Sequence, residues 1–130
     1  MATVDHVAAV VKDLDASVRV LVEGFGFKST AVSDHQELGI RVCFVEGKNT
    51  SIELIQPVAP GPYLVFLEKG LLGFNHIAIE VNDMASAVSK LKGMGIEPSG
   101  SKFLGAKGEI QNLDPSTTSD LRLQIIEPRR

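Results

Sequence analysis

Gly73-Phe74-Asn75-His76-Ile77-Ala78-Ile79-Glu80-Val81 repeats an earlier stretch of the chain, Val4-Asp5-His6-Val7-Ala8-Ala9-Val10-Val11, with His76 falling on His6. The match continues past both copies. Asp13-Leu14 falls on Asp83-Met84, Val18 on Val88, Leu21 on Leu91, and Gly26-Phe27 on Gly95-Ile96 after one small gap. Farther on, Ser51-Ile52-Glu53-Leu54-Ile55-Gln56-Pro57 lines up with Arg122-Leu123-Gln124-Ile125-Ile126-Glu127-Pro128. The chain therefore reads as one module used twice, and the repeat sets the fold before any single residue is interpreted.

Each copy opens on a short run rich in β-branched residues, which reads as a strand. Asp13 and Asp83 follow, each placed so that its carboxylate can accept from the free N–H groups of a helix's first turn. Leu14, Val18, Leu21 and Val22 then recur at helical spacing. Gly24 and Gly26 end that helix, with Phe25 and Phe27 expected to pack beneath the turn. Strands are expected at 27–32, 40–46 and 50–56, with a polar loop at 33–39 that holds a solvated His35. Three of the six prolines fall in 57–62, which excludes a central strand or a helix interior there. That stretch reads as a linker followed by a short helical piece at 63–69. The second copy repeats the plan with a strand at 76–81, a helix from Asp83 to about Gly93, and strands beyond 95–99, at 109–113 and at 121–127. A unit of about sixty residues cannot bury both faces of its own sheet. Two must pack together, giving an α+β fold of tandem βαβββ modules in one domain (1–130), with module 1 at about 1–57, a linker at about 58–72 and module 2 at about 73–130.

Composition narrows the function classes. The 130 residues are 44% hydrophobic and 22% charged, a globular balance. A net charge of -3 and the lack of a Lys/Arg stripe argue against nucleic acid as a partner. No apolar run approaches a membrane span. The first strand begins within about four residues of Met1, leaving no room for a signal peptide, so a cytoplasmic location is expected. Cys43 is alone, which fits a reducing compartment, and it reads as a buried structural thiol. Arg129-Arg130 reads as a solvated tail.

Side chains alternate across a strand. Val7, Ala9 and Val11 share the face that packs on the helix, and His6 takes the other. In the matching strand Ile77, Ile79 and Val81 cover the helix, and His76 is opposite. Ile52 and Leu54 part in the same way from Ser51, Glu53 and Ile55, as do Leu121, Leu123 and Ile125 from Arg122, Gln124 and Ile126. His6, Glu53, His76 and Gln124 thus lie on the non-helical faces of four strands, at equivalent positions of the repeat. Two imidazoles, a carboxylate and an amide oxygen can hold a divalent cation with positions left open for substrate or water. Such a set does not distinguish cobalt, nickel, zinc, manganese and iron(II). Arg122 shares the Gln124 face about 7 Å away. Its guanidinium fork suits an anionic substrate group, so it is the expected substrate-binding residue.

Asp5-His6-Val7, Ile52-Glu53-Leu54 and His76-Ile77-Ala78-Ile79-Glu80-Val81 resemble the vicinal oxygen chelate superfamily of glyoxalase I, bleomycin resistance proteins and extradiol dioxygenases. Gly47-Lys48-Asn49-Thr50, Phe66-Leu67-Glu68-Lys69 and Leu104-Gly105-Ala106-Lys107-Gly108 extend the likeness, which is greatest to the methylmalonyl-CoA epimerases. The resemblance implies a curved mixed sheet around a shared cleft and metal ligands at His6, Glu53 and His76. It also implies a glutamate at the position that is Gln124 here. It implies a metal-dependent isomerase or lyase that enolises a small acyl or dicarbonyl substrate, an acyl-CoA among the candidates and a homodimer among the open oligomeric states. The departures are Gln124 itself, Asn75 where the epimerases have a second histidine, and Asp114-Pro115 where they have His-Pro. The catalytic base is left unassigned. A non-catalytic, drug-sequestering protein is the alternative, with an extradiol dioxygenase behind it.

Overall fold

The structure, a computed structural model, describes residues 1–129, so Arg130 of the expected tail lies outside the described residues. Two compact units emerge, His6–Asn75 and His76–Arg130, the latter together with Met1–Asp5. Strand pairing is mixed, parallel and antiparallel, and the class is α+β as expected.

In the first unit β1 (Thr3–Val10) runs parallel to β5 (Ser51–Pro57). β4 (Ile40–Glu46) pairs antiparallel with β5. The short strands β2 (Lys28–Ser29) and β3 (Ser33–His35) both pair with β4. One face buries Leu14, Cys43, Val45 and Leu54 under helix α1 (Leu14–Arg19), with Ala9, Val11 and Ile52 packed against them. The other face buries Ala8, Val10, Ile40, Val42 and Ile55. It is covered by α2 (Pro62–Glu68) in the segment expected to follow the linker.

The second unit repeats this plan. β6 (Gly73–Glu80) runs parallel to β9 (Leu123–Pro128), β9 pairs antiparallel with β8 (Gly108–Leu113), and β8 pairs with β7 (Pro98–Leu104), which forms the unit's edge. Met84, Leu113 and Ile125 lie under α3 (Met84–Gly93), and Ala78, Ile110 and Ile126 fill the opposite face.

The repeat extends to the side chains that start the helices. Asp13 accepts from the Ala16 N–H at 3.0 Å, and Asp83 from the Ser86 N–H at 3.2 Å. The last strand of each unit supplies a second acceptor. Gln56 Oε1 takes the Leu14 N–H at 2.8 Å, and Glu127 Oε1 takes the Met84 N–H at 2.6 Å. One amide and one carboxylate thus satisfy the same orphan donor in the two copies.

The gap in the repeat has a physical form. α3 closes with the Ile96 N–H bonded to the Leu91 carbonyl, whereas the matching bond in the first copy runs from Phe27 to Leu21, one residue longer. The extra residue is absorbed as a π-helical turn, Val20–Gly24. That turn corrects one expectation: Phe27 packs against the α1 face, but Phe25 is 74% exposed.

The polar stretch 33–39 also departs from expectation. Its first three residues form β3, paired Ser33 to Val42 through His35 to Ile40, and Gln36–Leu38 follow as a 3-10 turn. An edge strand needs no apolar face, so polarity did not reveal it. His35 is only half-exposed and hydrogen-bonds Ser33 Oγ through Nε2 at 3.1 Å. In the second unit β7 carries a register shift between Ser99 and Phe103. Gln111, buried beneath it, directs its amide nitrogen at the carbonyls of Ser99, Gly100 and Asn112 at 2.8–3.2 Å.

Candidate functional site

His6 and Glu53 come from neighbouring parallel strands. Ala8 is the partner of Glu53 across the β1–β5 pairing, which sets His6 diagonally beside the carboxylate. His6 Nε2 lies 3.4 Å from Glu53 Oε1. The imidazole is 2% exposed, and the Phe44 ring stands perpendicular to it with centroids 5.3 Å apart. The packing therefore fixes the ring plane and leaves its nitrogen-bearing edge directed at Glu53, which keeps partial access to solvent.

The second unit places His76 and Gln124 by the same rule. Ala78 pairs with Gln124 as Ala8 pairs with Glu53, and Ile77 with Leu123 as Val7 with Ile52. The registers coincide residue for residue, so Gln124 stands to His76 along the strands as Glu53 stands to His6. Both side chains are buried, His76 at 4% and Gln124 at 7% exposure. Asn75 beside His76 is buried as well. Each unit therefore carries one imidazole and one oxygen donor on the face away from its helix, the face expected from strand parity.

The donor chemistry fits a divalent cation. Buried nitrogen and oxygen donors at contact distance, as in His6 and Glu53, make a pair that zinc, cobalt, nickel, manganese and iron(II) all accept. Arg122 is exposed at the entry to β9, where its carbonyl accepts from the Ile77 N–H at 3.2 Å. Cys43 is buried as expected. Its thiol donates to the Thr30 carbonyl at 3.3 Å, and burial pushes its pKa up, away from nucleophile behaviour.

One residue of the His6–Glu53 face was not singled out in the sequence. Tyr63, in the first turn of α2, packs on the apolar cluster that continues this face. Burial first, and the Glu53 carboxylate second, push its phenol up to about 12. The signal in the sequence was slight: a single tyrosine beside a proline-rich stretch.

Comparison with known proteins brings a family into view. Residues 5–111 match the family model of the glyoxalase/bleomycin resistance protein/dioxygenase superfamily. The chain is 37% identical over 109 residues to the ethylmalonyl-CoA/methylmalonyl-CoA epimerase of Cereibacter sphaeroides, covering 81% of each chain. It spans about half the length of the mouse mitochondrial methylmalonyl-CoA epimerase, 34% identical over 90 residues. In fold it matches the methylmalonyl-CoA epimerase of Mycobacterium tuberculosis with a TM-score of 0.91 at 22% identity, over 98% of this chain and 89% of that one.

Proposed function

Because the chain belongs to the glyoxalase/bleomycin resistance protein/dioxygenase superfamily, we propose that it is a metal-dependent epimerase of a small branched dicarboxylic acyl-CoA, of the methylmalonyl-CoA type. The observation that carries the reading is the pair of matched half-sites, His6 with Glu53 and His76 with Gln124, set by one and the same strand register. Its 37% identity to an epimerase of ethylmalonyl- and methylmalonyl-CoA supports the substrate class. This reading assigns His6 and Glu53 of one unit and His76 of the other as donors to the ion, two imidazoles and a carboxylate of the kind divalent metals accept. Gln124 is the fourth ligand. The single cysteine is in keeping with a cytoplasmic enzyme.

When bound, the ion supplies a Lewis acid that polarises a substrate carbonyl. His6, His76, Glu53 and Gln124 bring one negative charge between them, so the filled site keeps a net positive charge that favours an anionic substrate. Arg122 holds the substrate's carboxylate through its planar fork of donors. Gln124 cannot take up a proton at neutral pH, because an amide oxygen ligates or accepts hydrogen bonds only. Proton transfer at the carbon between the two carbonyls therefore falls to a group other than Gln124.

The test is metal analysis joined to turnover. Protein purified without chelator is expected to hold about one divalent ion per chain. It should also exchange the α-proton of methylmalonyl-CoA with deuterated solvent. Well under one ion per chain, together with no thermal stabilisation by added cobalt or nickel, would sink the reading. Tight binding of the acyl-CoA without exchange would return the chain to the non-catalytic alternative.

A further inference from the structure

The antiparallel pairing beside each half-site is also copied in register. Val42, Cys43 and Phe44 of β4 stand opposite Ile55, Leu54 and Glu53, and Ile110, Gln111 and Asn112 of β8 stand opposite Ile126, Ile125 and Gln124. Ile110 and Ile126 belong to the cluster on the face away from α3, so Asn112 and Gln124, each two residues along its strand, share that face. Residues directly opposite in an antiparallel pair carry their Cβ atoms about 4.5–5.5 Å apart. Asn112 is thus the cross-strand neighbour of Gln124, in the place that Phe44 takes beside Glu53.

Phe gives way to Asn at the position where Glu gives way to Gln, and the chemistry of the two ligand groups links the exchanges. A carboxylate presents an oxygen whichever way it is turned, so Glu53 needs no neighbour to aim it. Phe44 has no polar group to offer and instead stands its ring against His6. A carboxamide has one oxygen and one NH2 of nearly the same shape, and only the oxygen can ligate a cation. Turned the wrong way, Gln124 would point two N–H donors at the ion. An acceptor at its amide nitrogen settles the choice, and the side-chain oxygen of Asn112 is such an acceptor one strand away. Asn112 is built to impose a direction. It is half-buried on a strand paired on both sides, opposite Ser99 of β7 and Gln124 of β9, and its carbonyl accepts from the Gln111 amide at 2.8 Å.

We propose that Asn112 is a positioning residue of the His76–Gln124 half-site, its side-chain oxygen accepting from the Gln124 amide nitrogen and so turning the Gln124 oxygen toward the ion. The inference rests on the metal-dependent reading given above. Partners of this kind fix the orientation of a ligand without touching the metal. The pair also lets a neutral ligand replace a charged one without losing aim, which preserves the net positive charge of the filled site.

Cobalt(II), titrated calorimetrically into the metal-free full chain, tests this through affinity instead of turnover. Asn112→Leu is close to the original in size and has no polar atoms in its side chain. It should bind cobalt(II) roughly tenfold to a hundredfold more weakly than the wild type, the usual loss when the outer partner of a ligand is removed. Asn112→Asp keeps the acceptor and should bind at least as tightly as the wild type. In a Gln124→Glu background Asn112→Leu should cost less than about threefold, since a carboxylate needs no aiming and the two changes are then non-additive. Equal affinity in wild type and Asn112→Leu, an equal loss in both backgrounds, or a loss in Asn112→Asp overturns the inference and leaves the metal-dependent enzyme standing. A loss that follows a fall in melting temperature, in Asn112→Leu and Asn112→Ala alike, overturns it too, because Asn112 would then only be packing. A wild-type protein that binds no cobalt(II) removes the metal-dependent reading and this inference together.

Discussion

Gly39→Ala should be among the most damaging single-methyl additions in the first unit. Gly39 sits in the left-handed region, at φ 65° and ψ 39°, where an L side chain costs about 1–2 kcal/mol. Space is the second cost. A Cβ there would lie 2.6 Å from the Ala59 carbonyl oxygen and 2.8 Å from that of Pro60, and backbone cannot rotate away as a side chain can. Relief requires the 58–60 segment to withdraw, and that segment is bonded to Gly39 itself. Its carbonyl accepts from the Val58 N–H at 2.8 Å and from the Ala59 N–H at 3.2 Å. Weakening both adds about 1–2 kcal/mol, for a total of about 2–4 kcal/mol. Gly70→Ala is the matched control, because Gly70 has φ 75° and nothing within 4 Å of the added atom. It should lose only about 1–2 kcal/mol, the conformational part. Urea denaturation of the two variants measures the difference directly, provided the slope with denaturant is unchanged. Equal losses would show that the close approach of 58–60 is soft, and the account of how the chain enters α2 would fail.

Two further outcomes follow from the half-sites. Gln124→Glu should retain the fold and bind cobalt or nickel at least as tightly as the wild type, since it adds a negative charge at a ligand position; equal affinity in Gln124→Glu and Gln124→Ala, measured by calorimetry, would show that this residue does not touch the ion. The Tyr63 phenol should titrate at about 12 by ultraviolet difference absorbance, against an ordinary value of 10.0. The neutral phenol's contribution to stability is thus fully present below pH 10 and lost as pH rises toward 12, because the unfolded chain gives up the proton first. Glu53→Gln should bring the value down part of the way, burial being the larger cause, and a native titration near 10 would refute the placement of Tyr63.

The repeat made much of this legible in advance. His6 and His76 could be paired, and Glu53 with Gln124, because a parallel register preserved in two copies leaves the same residues on the same faces. The helix starts at Asp13 and Asp83 were readable because capping is local chemistry. What escaped was set by tertiary context. Ser33–His35 carries no apolar alternation, since β3 has a strand on one side only and no core face to fill. The π turn that leaves Phe25 in solvent came from one inserted residue, whose accommodation the sequence does not dictate. Tyr63 looked like one more residue of a short helical piece, because only the packing of α2 reveals which cluster it seals.

The tether between Gln111 and the carbonyls of Ser99 and Gly100 bears on how this protein behaves at high concentration. β7 is a long outer strand, exposed along nearly all of its length and ending on Phe103 and Leu104. A straight strand of that kind is an open seat for a stranger's backbone, the first step toward fibrils. The kink between Ser99 and Phe103 breaks the run of evenly spaced donors and acceptors that such docking needs, and the Gln111 amide nitrogen keeps two of the carbonyls turned inward. The same buried amide that holds the bulge in place therefore also helps keep the chain dispersed.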